Sequence, residues 1–169
     1  MRVSLKIPQT MYGALRNHLF SDDSTLEEAA FLFARGTTKE KGLVFECIEW
    51  YPVPAEGFAH RSSFYLELTD EVRAMVIKTA HDLGASLVEV HSHTGPWPAK
   101  FSPSDFYGFE DFVPHILWRL KGRPYLAVVM THQELDALAW LTTPDSPRAV
   151  DALIVGKQTI VPTNLSLRE

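Results

Sequence analysis

Between Thr69 and His93 the sequence passes once from a helical to a strand-like pattern, and this change limits the fold more than any other stretch. Val72, Met75, Val76, Thr79, Ala80 and Leu83 recur at helical spacing. Thr69 offers an N-cap oxygen, and Asp70 and Glu71 put negative charge where the helix dipole favours it. Gly84 can adopt the left-handed turn that ends a helix. Ala85 to His93, with Leu87, Val88 and Val90 at its centre, then predicts a strand leading into a loop that contains Gly95, Pro96 and Pro98. A helix handing over directly to such a strand belongs to a layered helix-and-sheet fold rather than a helical bundle or an all-β sandwich.

The flanking sequence extends this order. Arg2 to Ile7 alternates apolar and polar residues as a strand does, and Pro8 opens a helix striped with Met11, Tyr12, Leu15 and Leu19. That helix ends before the turn-rich Ser21–Ser24. Ala29 to Ala34, bounded by Arg35-Gly36, predicts a short buried strand. Leu43 to Val53 and Ser63 to Leu68 predict two more. Ser102 begins a further helix, and Pro124 to Met130, Asp136 to Leu141 and Arg148 to Val155 follow as strands. With no linker or repeat, residues 1–169 form a single domain, its tail expected to be loose from about Pro162.

Charge and cysteine content narrow the function classes. The 16 basic and 21 acidic residues give a formal charge of −5, which supplies no pull toward nucleic acid or an anionic membrane. Cys47 stands alone, so an intrachain disulfide and a cysteine-rich zinc site are both excluded. It reads as a small core residue rather than a nucleophile. No apolar run reaches the ~18 residues of a membrane span, and the first ten residues do not read as a signal peptide. A cytoplasmic location is the expectation.

The chemistry-bearing residues lie after the central strand. His91 and His93 are two apart, so on a strand both imidazoles face the same side. Such a pair alone is common in proteins that bind no metal. Downstream, Ser102-Pro103-Ser104-Asp105 places Asp105 in the first turn of the next helix. Two histidines and one carboxylate form a catalytic zinc set with a fourth position left for water. Ser-x-x-Asp with proline after the serine is also a helix-capping pattern, and a capped helix start is a rigid mount for a ligand.

His91-Ser92-His93, a loop, then Ser102-x-x-Asp105 resembles the JAMM motif of JAB/MPN-type metallopeptidases. The resemblance implies Zn2+ held by His91, His93 and Asp105, with Ser102 helping to hold the tetrahedral intermediate. It also implies an upstream glutamate as general acid/base. Glu28, ahead of the apolar run Ala29 to Ala34, matches that position, and Glu27 is its rival if the register slips by one. The order of elements over roughly residues 2–142 is similar to the family's. The implied fold is α/β: a three-layer α/β/α sandwich with a mixed sheet, of JAB/MPN (cytidine deaminase-like) architecture.

The resemblance further implies a peptidase or isopeptidase acting at the C-terminal tail of a ubiquitin-like protein or its conjugates. Activating and conjugating enzymes encoded nearby are possible partners, and the segment around residues 43–65 is a candidate edge for gripping an extended tail. A non-catalytic MPN-like scaffold and a peptidase that trims a sulfur-carrier protein are the alternatives. A nucleoside deaminase is set aside, because its Pro-Cys-x-x-Cys cannot be made from one cysteine. Three departures bear on substrate fit. Thr94 replaces the usual proline, the interval from His93 to Ser102 is one residue longer, and Glu89 stands where an apolar residue is usual. Glu89 shares a strand face with the histidines and either orients one of them or lies in solvent. Trp97 and Phe101 either line a substrate groove or pack as a lid.

Overall fold

The computed structural model describes residues 1–21 and 25–168, so most of the turn expected at Ser21–Ser24 lies outside the described residues. Eleven strands and three α-helices follow one another as β1 (Arg2–Ile7), α1 (Gln9–Leu19), β2 (Ala29–Lys39), β3 (Gly42–Pro52), β4 (Phe58–Arg61), β5 (Leu66–Leu68), α2 (Asp70–Leu83), β6 (Ser86–Ser92), α3 (Pro103–Arg119), β7 (Tyr125–Met130), β8 (Leu135–Trp140), β9 (Arg148–Ala149), β10 (Ala152–Val155) and β11 (Gln158–Ile160). Nine strands form one sheet in the order β11-β10-β1-β3-β2-β6-β7-β8-β9, and β4 pairs with β5 in a separate hairpin. Among the described residues no helix is long and apolar enough to cross a membrane.

The handover read between Thr69 and His93 is present. Thr69 Oγ1 accepts from the Val72 amide, and Gly84 ends α2 at φ 61°. β6 pairs antiparallel with β2 and parallel with β7, with all but one of its residues buried. Ala29, Phe31 and Phe33 of β2 point into one core, together with α2 and α3. Ala30, Leu32 and Ala34 point into the other, together with Leu15 and Leu19 of α1. This is the period-2 division of a strand buried on both faces.

The expectation of a three-layer α/β/α sandwich is corrected by the way the sheet closes. Arg148 to Val155, read as one strand, is two strands far apart in the sheet order, β9 at one end and β10 next to the other. Ala149 pairs with Leu138 of β8, and Ala152, three residues later, pairs with Ser4 of β1. Three residues span at most ~11 Å, whereas the seven strand spacings between β9 and β10 would cover ~34 Å if laid flat. The sheet therefore curls into a half-barrel and carries most of the fold. The 11-residue α1, ~16 Å long, lies in the concave face, too short to make a helical layer across nine strands. Residues from β1, β2, β3, β6, β7, β8 and β10 share one buried cluster with it.

The tail expected to be loose is tied down. Asp136 on β8 accepts hydrogen bonds from the Asn164 and Ser166 amides and from the Ser166 hydroxyl. The Thr163 amide donates to Leu135 O at 2.9 Å. From there the tail reaches the segment ahead of α3: the Phe101 amide donates to Ser166 Oγ at 2.9 Å, and Thr163 Oγ1 donates to Ala99 O at 2.6 Å.

Candidate metal centre

His91 lies on β6 opposite Ala29 of β2, and His93 follows the strand's last residue, held by its amide to Met130 O at 2.9 Å. Strand alternation turns both imidazoles to one side and Ser92 to the other. There the Ser92 amide donates to Glu28 O at 3.0 Å, and Ser92 Oγ accepts from the Glu28 amide at 2.9 Å.

The start of α3 supplies the third group. Ser102 is its N-cap and Pro103 opens its first turn. Ser102 Oγ accepts from the Asp105 amide at 3.1 Å, while Asp105 Oδ2 accepts from the Ser102 amide at 2.8 Å. The capping and ligand readings thus coexist. The capped carboxylate sits with Oδ1 3.2 Å from His91 Nε2 and Oδ2 3.1 Å from His93 Nε2, and the two Nε2 atoms are 3.2 Å apart.

His91, His93 and Asp105 therefore form a group that can hold a metal ion. Ligand atoms ~2.0–2.1 Å from a tetrahedral zinc ion are themselves about 3.3 Å apart, so the three donors fit such an ion. Burial disfavours charge on both His91 and Asp105, but each is outweighed by the other. Asp105, helped by Glu89 and Glu27, pushes the His91 pKa up to about 9. His91, with hydrogen bonds from both imidazoles and the Ser102 amide, holds the Asp105 carboxyl well below the usual carboxylate range.

The two upstream glutamates separate cleanly. Glu27 is buried, with Oε1 3.7 Å from His93 Nε2. Burial raises its pKa, and the nearby histidines only partly offset this. Glu28 turns the other way, accepts from Arg61 Nη1, and has Oε2 4.0 Å from His18 Nε2. Glu27, rather than Glu28, is the carboxylate brought to the histidines.

Glu89, a departure noted in the sequence, accepts from the buried Tyr125 hydroxyl at 2.7 Å and has Oε1 3.9 Å from His91 Nδ1. Burial raises the pKa of both Glu89 and Tyr125. Phe101 is buried with its ring centroid 5.8 Å from that of His91, whereas Trp97 is exposed and folds its ring over Gly95. Beside Asp105 and His91 opens a cleft of about 540 Å³, walled by β5 on one side and the first half of α3 on the other. Glu67, Glu89, Glu110 and Asp111 line it, with Arg73 as the cation among them.

Sequence reasoning did not single out Ser92, Arg61 or Tyr125. Their partners lie 64, 33 and 36 residues away, and no local spacing signals such contacts.

No protein-family model matches the chain, and no curated protein matches it. Among solved structures, the N-terminal domain of STIL from Trichoplax adhaerens aligns at 11% identity and a TM-score of 0.37, over 77% of this chain and 37% of that one. The chain thus spans little more than a third of that structure's length, and a TM-score this low supports no inference about function.

Proposed function

We propose that this chain is a zinc-dependent hydrolase of amide or isopeptide bonds, acting at the C-terminal tail of a ubiquitin-like protein. The observation that supports this reading is the buried Glu27 carboxylate, 3.7 Å from His93 beside the His91–His93–Asp105 group. Burying a carboxylate costs free energy, and carboxylates kept in such surroundings beside a metal-ligand set are characteristic of groups that move a proton. Two imidazoles and one carboxylate favour zinc among the common ions. The choice of a ubiquitin-like substrate rests on the resemblance to the JAMM motif.

His91, His93 and Asp105 would hold the ion, which when bound supplies a Lewis acid and lowers the pKa of a water molecule toward ~7. Glu27 Oε1 takes the proton of the attacking water and returns it to the leaving amine, and its raised pKa suits both halves of that exchange. Ser102 Oγ uses a lone pair for the Asp105 amide, which leaves its O–H to donate to the developing oxyanion. Tyr125, through Glu89, braces the His91 ring from behind. An extended tail laid in the cleft would run beside β5, which among the described residues pairs only with β4.

Zinc-loaded protein incubated with a genomically neighbouring ubiquitin-like protein, as conjugate and as C-terminally extended precursor, tests the reading. A sulfur-carrier precursor forms a parallel arm. Wild type is expected to release the free C-terminus, Glu27→Gln to turn over ~10²-fold or more slowly with zinc content unchanged, and Glu28→Gln to lose less. Wild type that cleaves no arm, or Glu27→Gln that cleaves at the wild-type rate, would refute it.

A further inference from the structure

Glu27 precedes the first residue of β2, so the sheet ladder does not fix it. Its holds come from the β4–β5 hairpin. The Glu27 amide donates to Ser62 O at 3.0 Å, and the carboxylate of the next residue, Glu28, is bound by Arg61 at the end of β4. Arg61 and Glu28 are both largely buried, at 16% and 15% side-chain exposure, so the pair is shielded from solvent. The guanidinium lies over the Phe58 ring at 4.4 Å, which fixes its approach. Adjacent side chains on an extended segment leave on opposite sides, so fixing Glu28 on one side sets the direction of Glu27 on the other. The Glu28 main chain is also tied at both its amide and its carbonyl to Ser92, between the two histidines.

We infer that Arg61 is a positioning residue for Glu27, acting through Glu28, so that the hairpin walling the cleft also aims the carboxylate beside the histidines. The inference rests on the reading of Glu27 as the proton-transfer group. Without the guanidinium, the Glu28 carboxylate keeps only His18 at 4.0 Å and turns toward water, so only the main-chain bonds to Ser92 and Ser62 still hold the segment and the aim of Glu27 loosens. β5 lines the cleft and pairs with β4 from Phe58 to Arg61. A substrate that shifts β5 therefore moves the clamp.

Hydrogen exchange by mass spectrometry on the full zinc-loaded chain tests the clamp without relying on turnover. Arg61→Ala and Glu28→Gln are each expected to speed exchange at the Glu27 and Glu28 amides about tenfold, with no further gain in the double variant. Arg61→Lys should restore most of the protection, and β7 and β8 should exchange as in wild type. With a cleavable conjugate, Arg61→Ala should lower kcat about tenfold and leave KM unchanged, as misaiming of a reacting group does. Unchanged exchange at residues 27 and 28, additive single variants, or a rise in KM alone would overturn the inference. Should Arg61→Ala not fold, Arg61→Lys and Glu28→Gln carry the same comparison. If wild type cleaves nothing, the hydrolase reading fails, while the exchange result still decides whether Arg61 holds Glu27.

Discussion

Cys47 shows how far one residue's environment departs from its identity. It lies buried on β3, and burial pushes its thiol pKa up to about 12. An ordinary thiol titrates near ~8.5, so at alkaline pH the folded state keeps a proton that the unfolded chain releases. The folded pKa is the higher one. Stability from this group is therefore complete below the ordinary value and is lost as pH rises from there through about 12. Melting temperature is expected to fall more steeply between pH ~9 and ~11 in wild type than in Cys47→Ala. The native thiol should resist alkylation at pH ~8.5 and react fully in denaturant; parallel melting curves with a reactive native thiol would contradict this. The same scale shows what could be read directly. His91, His93 and Asp105 were legible because their spacing works locally, two on one strand face and one in a helix's first turn. The choice between Glu27 and Glu28 was not legible. It depends on the pairing of Ala29 with His91 and on the Arg61 clamp, both long-range.

At the scale of elements, α3 joins two roles at its first turn. Its capping box satisfies the Ser102 and Asp105 amides and also aims the Asp105 carboxylate at the histidines. The two roles of Ser102 can be separated. Ser102→Ala removes cap and hydroxyl together and is expected to cost about 1 kcal/mol in chemical denaturation, whereas Ser102→Gly should cost only a few tenths. Both lose the hydroxyl donor, so both should slow turnover by ~10²-fold to similar extents. Turnover that tracked stability instead would leave Ser102 as a cap alone. Element lengths were less legible than element types. Arg35-Gly36 reads as a stop, yet β2 continues to Lys39. A Cβ on Gly36 would come within 3.0 Å of the Phe45 ring, so the glycine lets a cross-strand aromatic lie close over the backbone.

At the scale of the molecule, closure is what periodicity could not show. Two residues, Val150 and Asp151, carry the chain from the end strand β9 to β10, next to the opposite end of the sheet order, and nothing in their local pattern distinguishes that passage from a continuous strand. The Val150 amide bonds to Ala137 O at 3.0 Å and the Asp151 amide to Val3 O at 2.8 Å, bridging β8 and β1 across the seam. The C-terminal tail then runs from that curled sheet toward the segment ahead of the candidate metal site. Asp136 holds Asn164 and Ser166, and Ser166 and Thr163 hold the backbone at Phe101 and Ala99, a few residues before Asp105. Asp136 is buried, so its removal leaves four donors, the Ala137, Asn164 and Ser166 amides and the Ser166 hydroxyl, without this acceptor. Asp136→Ala should lower the unfolding free energy by about 3 kcal/mol in urea, and Ser166→Ala by about 1 kcal/mol. Because the clasp steadies the segment ahead of Asp105, one of the three candidate ligands, the proposed zinc site predicts that a chain ending at residue 161 binds zinc about tenfold more weakly in competition with a chelating dye. Equal zinc affinity with reduced stability would confine the tail to the fold. Equal stability as well would mean that the bonds of Asp136 contribute nothing the curled sheet does not already supply.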